Sequence, residues 1–160
     1  MKPFPIPEPL LRAVAEQAER EYPSECCGMM LGPVGKPSEF SRVRPCRNVQ
    51  DDNHALDPEN FPRPARTAYF IDPKELLAIH RDLRRDREEI RVIYHSHIET
   101  GAYFSEEDTR VAAPEGEPAY PGVDYLVVSL AGGKVQEANL FRWASSRKKF
   151  LRLSYDIIKS

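Results

Sequence analysis

The spacing of apolar positions along this chain changes several times, and each change predicts a new element. Leu10, Leu11, Val14, Ala15 and Ala18 recur every three or four residues, which predicts an amphipathic helix over residues 8 to 21 that Pro23 ends. Ser24 to Gly32 is a short, mostly apolar run between two breakers, the pattern of a buried strand. Residues 39 to 46 alternate apolar and polar and predict a strand paired with that one. From Asn48 to Arg66 the chain is polar and broken by proline, which predicts a long loop of the kind that often carries function. Thr67 to Ile71 reads as a further strand. Asp72-Pro73-Lys74-Glu75 has the residue types of a helix start, and the helix it opens turns Leu76, Ile79 and Leu83 inward. Ile90 to Tyr94 predicts a short strand running straight into His95. Pro114 to Gly122 reads as a rigid, turn-rich connection, and Val123–Leu130 and Val135–Trp143 flank a hairpin signal at Ala131-Gly132-Gly133-Lys134. Residues 148 to 158 alternate weakly and fit either a last strand or a helix. The order α-β-β-β-α-β-α-β-β-β makes this a mixed α/β chain, expected to be one domain over residues 1–160.

Composition narrows the function classes. A net charge of −2 offers no electrostatic case for nucleic acid or an anionic membrane surface. The charge-dense face of the second long helix, from Arg81 to Glu88, mixes signs and reads as a solvated, self-paired surface. No segment approaches eighteen consecutive apolar residues, so no membrane span is expected. Three cysteines, Cys26, Cys27 and Cys46, do not make a secreted disulfide framework or a zinc ribbon, and they read as small packing residues. A cytoplasmic location is the expectation. The dinucleotide fingerprint and the phosphate-binding P-loop are both absent. His54 among Asp51, Asp52 and Asp57 reads as part of a solvated acidic loop, with a second metal site as the alternative, and His80 reads as structural.

The chemistry concentrates between His95 and Asp108. On a strand, residues two apart share a face, so His95 and His97 would present two imidazoles side by side. Asp108 follows across a loop that can fold back. Two imidazoles and a carboxylate form a three-ligand zinc set of the catalytic kind, with the fourth tetrahedral position open to water. The competing reading is structural: Ser105-Glu106-Glu107-Asp108 is also a capping box for a short helix, and a strand-end histidine can simply be packed. Ser105 can serve both as cap and as a functional hydroxyl. On local grounds Glu25, where the first helix hands over to the first strand, is a turn residue.

Taken together, Glu25-Cys26-Cys27-Gly28, then His95-Ser96-His97, seven residues, Ser105, two residues and Asp108 resemble the signature of the JAMM (MPN-plus) metalloproteases. The resemblance extends to the opening helix, to Asp72–Leu77 and to the Tyr125–Ser129 strand. More narrowly, the chain is similar to bacterial members associated with ubiquitin-like sulfur-carrier proteins. The resemblance implies the MPN/JAB fold, a mixed sheet flanked by helices and related to cytidine deaminases. It implies one Zn2+ held by His95, His97 and Asp108, with Glu25 as the base that takes a proton from water and Ser105 as the oxyanion donor. It also implies hydrolysis of an amide or isopeptide bond after the C-terminal glycine of a ubiquitin-like or sulfur-carrier protein ending in Gly-Gly. One departure is visible: Ile98 and Phe104 stand where the family usually has proline, which bears on the rigidity of the loop and on substrate preference. A rival reading is a non-catalytic scaffold, in which Glu25 would be replaceable. A nucleoside deaminase would need His-x-Glu with Pro-Cys-x-x-Cys, and the helical protease motif His-Glu-x-x-His is likewise missing.

Overall fold

The computed structural model describes residues 4–159. Its frame is a six-stranded mixed sheet. The three strands β2 (Cys27–Pro33), β4 (Glu88–Ile98) and β5 (Asp124–Ala131) are almost continuously buried, which is why they read as apolar runs rather than clean alternations. They are flanked by β3 (Arg42–Cys46) on one side and by β6 (Lys134–Ala144) and β7 (Lys149–Leu153) on the other, giving the order β3-β2-β4-β5-β6-β7. β4 and β5 are parallel, and every other neighbouring pair in this sheet is antiparallel.

Side-chain alternation splits the core into two faces. Val92 and Tyr94 of β4 join Met30, Leu126 and Leu140 beneath α1 (Glu8–Glu21), which contributes Val14 and Ala18. Ile93 joins Met29, Leu31, Tyr125 and Val127 on the opposite face, under Ile79 and Leu83 of α3 (Pro73–Asp86). The same parity assigns His95 and His97 to the α3 face. Gly28 is required where α1 meets the sheet, because a Cβ there would collide with the Tyr94 hydroxyl. That hydroxyl donates to Gln17, whose amide in turn donates to the Cys27 carbonyl at 3.0 Å. A buried polar chain thus ties helix to sheet with its bonds satisfied.

Both long helices form where their periodicity predicts. Asp72 caps α3 by accepting from the Lys74 amide at 3.0 Å, ahead of Pro73 in the first turn. The hairpin turns at Gly132 and Gly133, whose φ values of 57° and 79° suit glycine. The tail resolves as two strands, β7 and β8 (Tyr155–Ile158).

Two expectations need correction, and one strand is missing from the expected order. Phe4–Pro7 is a strand, β1, paired in parallel with β8. Its prolines hid it, since they lack amide donors and restrict it to a two-stranded ribbon outside the main sheet. The Asn48–Arg66 stretch is not all loop, because it contains α2 (Gln50–Leu56). Thr67–Ile71 is not a strand. It makes one isolated bridge, Ile71 with Asn48, and the Asn48 side chain takes up the Phe70 amide and the Ala68 carbonyl.

The residues around His54 spend their polarity locally. His54 Nδ1 lies 2.7 Å from the Phe61 carbonyl, Asp51 accepts from the Ala65 amide, and Asp52 pairs with Arg47. His80 stacks on Tyr120 with ring centroids 6.0 Å apart, the structural role expected of it. The three cysteines are buried, and burial pushes the Cys26 thiol up to about 12, as befits packing residues. No helix among the described residues is long and apolar enough to cross a membrane.

Candidate active site

The site lies at the carboxyl end of β4, where this strand runs parallel to β5. His95 is fully buried and stacks on Tyr69, with centroids 4.6 Å apart and planes 24° from parallel. His97 Nδ1 is 2.9 Å from the Gly101 carbonyl. A carbonyl only accepts, so Nδ1 carries a hydrogen, which leaves Nε2 as the ring atom able to bind a metal. Asp108 sits three residues into α4 (Glu106–Ala112), inside a complete capping box: Ser105 Oγ accepts from the Asp108 amide, and Asp108 Oδ2 accepts from the Ser105 amide. Asp108 thus belongs both to the cap and to the cluster with the histidines.

The donor atoms converge. His95 Nε2 lies 3.3 Å from His97 Nε2, Asp108 Oδ1 lies 2.9 Å from His95 Nε2, and Oδ2 lies 3.0 Å from His97 Nε2. All three residues are buried and could hold a metal ion. Donors about 2.0–2.1 Å from a tetrahedral ion stand about 3.4 Å apart, close to the 3.3 Å between the imidazole nitrogens. His95 Nδ1 is the one buried side-chain nitrogen or oxygen without a hydrogen-bond partner among the described residues, so this ring's polar contacts all lie at Nε2. The electrostatics favour a cation. Burial works against charge on Asp108, but the two imidazoles outweigh it and hold the carboxyl well below its ordinary range. Burial likewise opposes protonation of His97, and Asp108 outweighs it and raises the imidazole.

Glu25 reaches this centre from the link between α1 and β2. Its amide donates to the Ala65 carbonyl at 2.8 Å, and its carbonyl accepts from Asn48 Nδ2 at 2.8 Å. One residue on, the Cys26 amide donates to Ser96 Oγ at 2.7 Å and the Ser96 amide returns a bond to the Cys26 carbonyl. Ser96, between the two histidines, thus registers Glu25 against them. Burial, reinforced by the charge of Asp108, pushes the Glu25 carboxyl up to about 9. Glu25, His97, Ser105 and Asp108 all face one cleft of about 360 Å³. Ser105 Oγ accepts from the Asp108 amide, and its own hydrogen remains free to donate.

The structure therefore brings together all five residues singled out from the sequence: Glu25, His95, His97, Ser105 and Asp108. Asn48, Tyr69 and Ser96 were not singled out. Ser96 could have been noticed as the polar residue whose parity sends it away from the histidines; Asn48 and Tyr69 carry no local signal. Ile98 and Phe104, at the two positions without proline, hold the loop by packing instead. Ile98 is buried in the α1-side core, and the Phe104 ring lies 4.6 Å from Phe150 and 5.4 Å from both Tyr125 and Phe141. Between them, Glu137 accepts from the Ala102 amide and Asn139 donates to its carbonyl.

Residues 7–145 match the family described as prokaryotic homologs of the JAB domain. The chain is 31% identical over 133 residues to the CysO-cysteine peptidases of Mycobacterium tuberculosis and Mycobacterium bovis, a match covering 83% of this chain and 77% of each relative. Among solved structures it is similar to a protein of Desulfitobacterium hafniense, with a TM-score of 0.71 at 21% identity over 98% of this chain and 93% of that one. It is also similar to a protein of Salinibacter ruber, with a TM-score of 0.58 at 20% identity over 100% of this chain and 92% of that one. Likeness at those identities concerns the fold alone, and together with the family match it gives the mixed sheet its type, the MPN/JAB fold.

Proposed function

The chain belongs to the family of prokaryotic homologs of the JAB domain, and from that premise we propose that it is a zinc-dependent peptidase of the JAMM type. Its reaction is hydrolysis of the amide or isopeptide bond after the C-terminal Gly-Gly of a ubiquitin-like or sulfur-carrier protein. The observation that carries this reading is the convergence of Glu25 and Ser105 on the cleft beside the His95, His97 and Asp108 donors. The name of the mycobacterial relatives, CysO-cysteine peptidase, supports a carrier bearing an attached cysteine as substrate.

His95 Nε2, His97 Nε2 and an oxygen of Asp108 would hold the zinc. When bound, zinc supplies a Lewis acid and makes a nucleophilic water available near neutral pH. Glu25 takes the proton of the attacking water and passes it to the leaving nitrogen, from its place on the cleft beside the donor atoms. Ser105, fixed by its cap bond to Asp108, donates its free hydrogen to the oxygen that gains charge as the carbonyl carbon becomes tetrahedral. Gly101 keeps the His97 lone pair aimed inward through its bond to Nδ1.

The test uses one preparation. Elemental analysis of wild type and His95→Ala/His97→Ala should find about one zinc per chain in the first and none in the second. Mass spectrometry should then show loss of the residues appended to a carrier's Gly-Gly, abolished in Glu25→Gln with metal retained. Zinc-loaded wild type that cleaves no carrier would overturn the substrate; absence of zinc would overturn the mechanism and favour the scaffold.

A further inference from the structure

Two arginines line the cleft without closing an ion pair on its carboxylates. Arg63 and Arg66 line it together with Glu25 and Ser105, and neither forms an ion pair among the described residues. By contrast, Arg42, Arg44, Arg110 and Arg142 all meet acidic partners.

The backbone beneath these two residues is held firmly. The Arg63 carbonyl accepts from the buried Gln50 side chain at 2.8 Å. Pro62 and Pro64 restrict the backbone on either side of Arg63. Ala65 is buried, its amide donates to Asp51 at 2.6 Å, and its carbonyl accepts from the Glu25 amide at 2.8 Å. The segment bearing both arginines is thus hydrogen-bonded directly to the residue that would move the proton. The guanidinium ends stay exposed, mounted beside the reacting position on a braced strip of backbone.

We propose that Arg63 and Arg66 bind the free α-carboxylate of the residue on the leaving side of the scissile bond. This rests on the peptidase reading above and gives it the groups that would select a carrier joined to a single amino acid. In such a substrate one carbon separates the leaving nitrogen from its carboxylate, so a group next to Glu25 can reach it. The planar fork of arginine matches that carboxylate. Glu106 and Glu107 also line the cleft, so the two arginines are the groups in this lining that would attract an entering carboxylate. An isopeptide to lysine within a folded protein offers no carboxylate there and is disfavoured. The reaction balances as a hydrolysis: water's oxygen bonds the glycine carbonyl carbon, the carbon–nitrogen bond breaks, and the nitrogen takes a proton. The products are the carrier's glycine carboxylate and a free amino acid.

The test compares one carrier in two forms, ending Gly-Gly-Cys as the free acid and as the carboxamide, with zinc-loaded wild type and the Arg63→Gln/Arg66→Gln variant. Wild type should favour the acid by about tenfold or more in kcat/KM, mainly through KM, as expected for charge-assisted hydrogen bonds at a solvent-accessible site. In the variant the ratio should fall toward one, and Arg63→Lys/Arg66→Lys should keep part of it, since charge remains and the fork is gone. Equal kcat/KM for acid and amide in wild type, or an undiminished preference in the glutamine variant, overturns the carboxylate assignment while the peptidase reading stands. Cleavage of neither form by zinc-loaded wild type overturns the peptidase reading and this inference with it.

Discussion

The cleft is lined by two sets of residues made in different ways. One set, His97 to Asp108 with His95 behind it, comes from a single stretch in which a strand ends, a loop folds back and α4 begins. Its side chains hold each other directly, through imidazole-to-carboxylate contacts of 2.9 and 3.0 Å and a capping box. The other set, Glu25 with Arg63 and Arg66, comes from distant stretches joined through a backbone bond at Ala65 and the side chain of Asn48. The first is a preassembled cluster that favours a cation. The second is a bracket that sets one buried carboxyl and two exposed arginines beside it. The ion-binding geometry sits on the first; the proton-moving carboxyl and substrate selection can sit on the second.

Substitutions should separate the two sets, beginning with the most severe. His95→Ala/His97→Ala removes two of three donors, so metal content should fall to background and peptidase activity below detection. Glu25→Gln should leave metal in place and lower kcat on the order of a thousandfold, the scale of general acid–base catalysis. If metal is lost with it, the two sets are not independent. Ser105→Ala touches both the oxyanion donor and the cap, so kcat should drop about a hundredfold and chemical denaturation should show about 1 kcal/mol less stability. Asn48→Ala strips the bracket of its bonds to Glu25, Ala68, Gln50 and Phe70. Such a loss should cost roughly 2 kcal/mol of stability without releasing metal, as read by denaturation and elemental analysis.

A further test is pH dependence in the chelator-stripped protein, where the carboxyls of the two sets have opposite signs. Glu25 has an ordinary value of 4.5 and is raised to about 9. Between those values the folded chain holds a proton that the unfolded chain releases, so stability falls as pH rises, by up to about 1.4 kcal/mol per unit. Asp108 is depressed, so its contribution is present above its ordinary value and is lost only as pH falls into the acid range. Denaturation midpoints from pH 5 to 8 should therefore decline in wild type and decline less steeply in Glu25→Gln, where the raised His97 imidazole still favours the lower pH.

The same division explains what was legible in the sequence. His95, His97, Ser105 and Asp108 could be read because a two-residue strand period and a capping box act over a few residues. The long helices declared themselves by apolar spacing, and α3 by Asp72 and Pro73 as well. Glu25 had no local signal, and only the family resemblance lifted it from a turn, because its bracket is made of contacts such as Asn48 to Glu25, 23 residues apart. α2 was illegible for a related reason: its only buried residue is Gln50, so there is no apolar stripe to detect. Tyr69 and Phe70 have the residue types of a strand, yet the side chain of Asn48 and the stacking against His95 claim them first.

Asp108 belongs to two partnerships at once. Its Oδ2 accepts from the Ser105 amide and lies 3.0 Å from His97 Nε2. Whatever draws that carboxylate toward the histidines also tightens or loosens the first turn of α4, and by reciprocity the state of that turn feeds back on affinity for an ion. The helix start is in effect a built-in reporter. Hydrogen exchange at the amides of Ser105 and Asp108 should register whether the centre is filled, with no substrate present and no chemistry taking place.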